Sequence, residues 1–200
     1  MKRLILASCI LMFAGYTPVL GQAPDSSEAH NNSGVALYNK GDKDGAIAEF
    51  REALRLNPND GKAHYYLGFA LNSKGDLDGA IAEYREAVRL NPNDGLGHFN
   101  LGLALLRNTK AGKAKWREGV GKHEENVIKE FREAVRLMPR NDQAHYLLGT
   151  MLESRGDRQG AFDEYRVAHL LKPDDKTYEN AYINIQKRRT TLIPIPIPIP

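Results

Sequence analysis

The chain has one cysteine and one tryptophan, lacks a long apolar run beyond its first twenty residues, and carries little excess of either charge. Each scarcity excludes something. Cys9 lies in the extreme N-terminal segment, so the remainder has no thiol, and disulfides, thiolate nucleophiles and cysteine-ligated metals are ruled out there. The formal charge is +3, and removing Lys2 and Arg3, with no acid nearby, takes away two cations and leaves +1. A body so close to neutral does not hold nucleic acid or a membrane surface through bulk charge. A Gly-rich phosphate loop, paired carboxylates outside surface helix faces and a Ser/His/Asp set are all missing, so neither an enzyme nor a cofactor site is expected. His123-Glu124-Glu125-Asn126-Val127 begins like a zinc-peptidase helix, but that motif needs a second histidine where Val127 stands. What is present is ordinary for a folded domain: 200 residues, 42% hydrophobic and 26% charged, enough to bury a core.

Residues 1–23 carry the parts of a secretory signal. Lys2 and Arg3 precede an apolar run from Leu4 to Gly15, and small residues follow at Gly21 and Ala23. The run is too short to span a bilayer comfortably. Export to a periplasmic or extracellular location is the expectation. A lipid anchor through Cys9, within Leu6-Ala7-Ser8-Cys9, is the lesser alternative, because apolar residues continue past it where a polar tether is expected.

The rest repeats. Pro58 and Pro92 are 34 residues apart, as are Pro139 and Pro173, whereas Pro92 and Pro139 are separated by 47. GAIAEFREALRLNPNDG (45–61) returns as GAIAEYREAVRLNPNDG (79–95) with two changes. Within a unit, apolar residues recur at helical spacing, as in Ala80, Ile81, Tyr84, Ala87 and Val88. Gly75 suits a helix stop, Asp76 a cap for the next helix, and Asn91 before Pro92 a second helix end. Gly68 and Ala80 are small where two helices approach closely. A helix pair of this kind buries its apolar face only against its neighbour, so four pairs stack into one solenoid.

The period and its residues resemble the tetratricopeptide repeat, whose pattern reads W-x2-L-G-x2-Y, A-x3-F, P. The second unit supplies His64, Leu67, Gly68, Leu71, Ala80, Tyr84 and Pro92, and the fourth His145, Leu148, Gly149, Leu152, Ala161, Tyr165 and Pro173. The first has Gly34, Leu37, Ala46, Phe50 and Pro58 but Ser33 at the leucine site. The third has His98, Leu101, Gly102, Leu105, Phe131, Ala134 and Pro139, with Val127 replacing the small alanine. The resemblance covers residues 27–175, in units 27–60, 61–94, 95–141 and 142–175. It implies an all-α, right-handed superhelical solenoid of antiparallel helix pairs. Tyr178, Ala181, Tyr182 and Ile185 then mark a C-terminal capping helix over 176–190.

His30, His64, His98 and His145 all fall at the fourth position of their units, where a packing role is expected and no metal site. The repeated Glu and Arg of AEFREALRL read as a solvated helix face with (i, i+3) pairing.

Two segments break the pattern. The third unit carries an insertion near 109–122, rich in lysine and glycine around Trp116. It reads as a tolerated insertion, or more sharply as a secondary contact through Trp116, Lys113 and Lys115. LIPIPIPIP (192–200) alternates isoleucine with proline and reads as an extended, polyproline-like or disordered tail.

The resemblance implies a function as well: the concave surface, lined by the first helix of each unit, holds a partner's peptide or helix. The second, fifth, ninth, twelfth and thirteenth residues of a unit face that groove. They are Glu28, Asn31, Val35, Tyr38 and Asn39 in unit one, and Lys62, Tyr65, Phe69, Asn72 and Ser73 in unit two. Unit three gives Leu96, Phe99, Leu103, Leu106 and Arg107, and unit four Gln143, Tyr146, Thr150, Glu153 and Ser154. The lysine–asparagine clamp of chaperone-binding members is absent from all four. An aromatic stripe with polar edges remains: Tyr65, Phe69, Asn72, Phe99, Leu103, Leu106, Arg107 and Tyr146. The expected function is a non-enzymatic scaffold for another protein. The alternative is an envelope assembly subunit that self-associates through its solenoid ends or its tail.

Overall fold

The computed structural model describes residues 26–111 and 120–190, and among them are nine helices. They are α1 (Ser27–Asn39), α2 (Lys43–Leu56), α3 (Gly61–Lys74), α4 (Leu77–Leu90), α5 (Gly95–Ala111), α6 (Val120–Leu137), α7 (Asp142–Ser154), α8 (Arg158–Leu171) and α9 (Lys176–Thr190). Each packs on its neighbours in sequence, most closely within α1–α2, α3–α4, α5–α6 and α7–α8. The chain is an all-α solenoid of adjacent helix pairs. The signal-like segment 1–23, the tail 191–200, and Lys113, Lys115 and Trp116 lie outside the described residues.

Local chemistry sets the element ends. Asp42, Asp76 and Asp157 cap α2, α4 and α8, each accepting from the backbone N–H three residues on. Asp60 and Asn141 do the same for α3 and α7. Gly75 closes α3 at φ +87, a left-handed conformation that a side chain rarely adopts. Asn91 leaves α4 with extended φ −132, as a residue before proline should.

Close approach sets the pairing. A Cβ placed on Gly149 would stand 2.7 Å from the ring of Tyr165, and one on Gly102 2.9 Å from Phe131. Glycine on the first helix therefore seats the large ring of the second. These rings, with Tyr84 and Phe50, are among the most deeply buried large side chains. Buried small and branched residues, such as Ala80, Ala104, Leu148 and Ile185, complete a core that runs through every pair.

The repeating histidines are packed, but by a bond that their position in the repeat does not foretell. His30, His64, His98 and His145 each place Nδ1 2.6–2.7 Å from a carboxylate of the second helix: Glu49, Glu83, Glu130 and Glu164 respectively. Nε2 of the last three reaches the carbonyl of Pro58, Pro92 or Pro139 at 3.1–3.2 Å. One ring thus ties a helix pair together and also fastens it to the turn before it. A doubly protonated ring makes both bonds at once, whereas a neutral ring has one N–H to give. The reading of AEFREALRL as a solvated face needs correction here, because the glutamate before each aromatic is the histidine's partner. The other pairs do follow the expected (i, i+3) pattern: Glu52–Arg55, Glu86–Arg89 and Glu133–Arg136, all on the surface.

The insertion leaves this bond intact. Histidine and glutamate are 19 positions apart in the other three units and 32 apart between His98 and Glu130, yet the contact there, 2.6 Å, matches the 2.6–2.7 Å of the others. The additional residues fall between His98 and Glu130, and both helices there, at 17 and 18 residues, are longer than their counterparts.

Candidate functional site

The first helices α1, α3, α5 and α7, continued by α9, follow one another along the stack, and side chains tie α3 to α5 and α7 to α9. Asn100 on α5 donates to the Tyr65 hydroxyl at 3.0 Å. Arg107 donates to Asn72 at 2.8 Å, and Arg188 to Glu153 at 2.6 Å, both across 35 positions. The Tyr178 hydroxyl donates to Asp142 at 2.9 Å. The rungs recur because each first helix presents the same register to the next.

Between α1 and α3, Asn31 donates to Asp60 at the start of α3 at 2.7 Å, and further along the contact is aromatic. Tyr38 and Phe69 meet with ring centroids 5.2 Å apart, and Tyr65 stacks on Phe69 at 6.4 Å and meets Tyr66 edge-on at 5.6 Å. Among these rings lies an open cavity of about 410 Å³, lined by Val35, Tyr38, Asn39, Phe50, Tyr65, Tyr66 and Phe69, with no charged side chain. Phe69 is 38% exposed, a high value for a large apolar residue. A larger cavity of about 610 Å³ near the α2–α3 turn is polar, with Glu28, Asn31, Asp60 and Lys62 among its walls.

The residues expected to form one stripe are therefore distributed over several environments. Tyr65 and Phe69 line the apolar cavity, while Asn72 and Arg107 form the rung beside it. Leu103 and Leu106 are half-buried against the core. Phe99 is a correction. At 8% exposure, with its ring 6.1 Å from Phe131, it belongs to the packing of α5 on α6 and offers almost no surface. Tyr146 is sandwiched between Tyr165 at 5.7 Å and Tyr178 at 5.0 Å, because α9 lies against that end of the face. Phe50 and Tyr66 line the cavity without having been expected there. Tyr66 follows Tyr65 directly, and a run of two aromatics on one helix is the signal that could have flagged it.

Burial shapes the tyrosine chemistry. It raises the Tyr65 hydroxyl above its ordinary value, with the Asp94 carboxylate adding to the effect and the Asn100 hydrogen bond opposing it. Tyr84 is raised further, again by burial first, and its buried hydroxyl has no hydrogen-bond partner among the described residues. Tyr165 and Tyr178 are raised by burial as well, reinforced at Tyr178 by the hydrogen bond to Asp142. All four stay neutral donors at physiological pH. The face can thus offer apolar rings and neutral hydroxyl and amide donors, the composition of a surface that receives a peptide.

Stacked helix pairs with such a face define a repeat-built scaffold, a class generally without catalysis and typically devoted to protein–protein interaction. The chain belongs to the tetratricopeptide repeat family, whose model matches residues 16–61, 41–95, 73–114 and 128–175. Among solved structures it is similar to MamA (41-end) from Desulfovibrio magneticus RS-1, at 20% identity and a TM-score of 0.68, covering 83% of this chain and 86% of that one. It is also similar to TTC0263, a thermophilic TPR protein of Thermus thermophilus, at 24% identity and TM-score 0.59, with 82% and 83% covered. Pseudomonas aeruginosa pilF matches at 17% identity and TM-score 0.63, over 82% of this chain and 69% of that one. At these identities the likeness is one of fold. No curated protein matches the chain in sequence.

Proposed function

We propose that this protein is an exported, non-enzymatic scaffold that holds an extended segment or helix of a partner protein against the face of its first helices. The observation that carries the reading is the uncharged aromatic cavity between α1 and α3. Elsewhere that face is bridged by Asn72–Arg107 and Glu153–Arg188, but here rings are left partly open to solvent. Aromatic rings supply large contact area at small conformational cost, which is why they dominate binding surfaces. Export rests on the sequence of residues 1–23, and the basic insertion around Trp116 stands in this reading as a secondary contact.

The test is a pull-down from the envelope fraction. Tyr65→Ala combined with Phe69→Ala should lose the partner while circular dichroism shows the helices intact. Retention of every partner by that variant would refute the groove as the binding face.

A further inference from the structure

The cavity's chemistry restricts its ligand. Its lining has no charge, so a charged segment would lose water there without compensation. The polar groups of the lining are the hydroxyls of Tyr38, Tyr65 and Tyr66 and the Asn39 amide, all able to donate. The Tyr65 hydroxyl, which accepts from Asn100, keeps its own hydrogen to give. Beside the cavity, the Asn72 carbonyl is taken by Arg107, which leaves its amide hydrogens. A fitting ligand is apolar, uncharged and able to offer carbonyl acceptors. That is the description of an aliphatic segment interrupted by prolines, in which every second N–H is gone and the polyproline II form leaves the carbonyls unpaired. Such segments dock into aromatic-lined grooves.

The chain itself contains one. Leu192-Ile193-Pro194-Ile195-Pro196-Ile197-Pro198-Ile199-Pro200 has no charged side chain and four prolines at alternate positions, and it follows closely on α9. We infer that the aromatic cavity between α1 and α3 receives residues 192–200 of a second copy of this chain. The inference rests on the groove reading and names its occupant.

A second copy is required by reach. From α9 to α3 there are three steps between first helices, each about 8–10 Å. Residues 191–200 span about 31 Å in polyproline II form, so within one copy this segment is used up in crossing from α9 to α3. Donation between copies has no such limit. It joins the C-terminal end of one solenoid to the N-terminal pair of another, a heterologous contact that propagates or closes into a ring.

Two measurements on the same protein test this. A fluorescent peptide of residues 190–200 is titrated into the chain truncated after Thr190, and light scattering follows the full chain against the truncated one. The expected results are saturable binding, at least tenfold weaker with Phe69→Ala, and self-association of the full chain that truncation abolishes. Asn39→Glu, an exposed change that brings charge to the cavity without threatening the fold, should weaken binding comparably. A peptide with alanine for each proline should also bind at least tenfold more weakly. No binding by the truncated chain, or binding indifferent to both Phe69→Ala and Asn39→Glu, overturns the inference. So does a full chain that is monomeric yet refuses the peptide, since its own tail then fills the cavity. If the peptide fails but an envelope partner is still captured in a Phe69-dependent way, only the tail is eliminated and the groove reading stands.

Discussion

The histidine–glutamate pair shows what a single residue does in this repeat. Its two bonds join a helix pair and lock it to the preceding turn, and the most enclosed example is His98–Glu130, with side chains only 10% and 11% exposed. Breaking a buried pair from one side strands the other partner, so Glu130→Ala should cost about 3 kcal/mol. The loss, read by urea unfolding, should exceed that of Glu83→Ala, whose pair is more open. Tyr84 argues the opposite way. Its hydroxyl is buried without a partner, so Tyr84→Phe should raise stability by about 1 kcal/mol. Tyr65, Tyr84, Tyr165 and Tyr178 also set an alkaline limit. Their folded values lie above the unfolded value of about 10, so their stabilisation is complete below that pH and is lost as pH rises past it. The urea midpoint should fall above pH 10, with a shallower slope in Tyr84→Phe. The pairing was present in the sequence as a constant separation of 19 in three units, although the glutamate's place in a charged run disguised it as a solvated face.

At the scale of the element, the repeat period made most of the fold legible, because capping aspartates, turn glycines and prolines each act over a few residues. Side-chain exposure across units was less legible. Tyr65, Phe99 and Tyr146 share one register but differ in fate, since what covers each is set by its surroundings: Asn100 for the first, the α6 ring of Phe131 for the second and α9 for the third. A pattern repeated from unit to unit carries no information about that cover. The insertion yields a prediction at this scale. Deleting residues 109–121 restores the spacing of 19 between His98 and Glu130, which already bond across the longer connection. The shortened chain should keep its helical circular dichroism, and its stability should change by less than about 1 kcal/mol, because the cut takes only the connection and the helix ends by which α5 and α6 exceed their counterparts. A large loss would show that the insertion supports the fold.

The whole molecule is a row of pairs, each packed mainly on the next, with its two ends treated differently. At the C-terminal end α9 buries Tyr178 and Ile185 and closes the face over Tyr146. At the N-terminal end the first two pairs leave the aromatic cavity open, and it is there that binding is proposed. Among the described residues no helix is long and apolar enough to cross a membrane. The most direct measurement of the binding face is site-specific photocrosslinking in the native compartment. Benzoylphenylalanine replaces Phe69 in the cavity or Leu170, a residue 69% exposed on the second helix of the last pair, α8. Binding in the cavity predicts crosslinked partner or second-copy adducts from position 69 and none of comparable yield from position 170. Adducts from 170 with position 69 silent would contradict it.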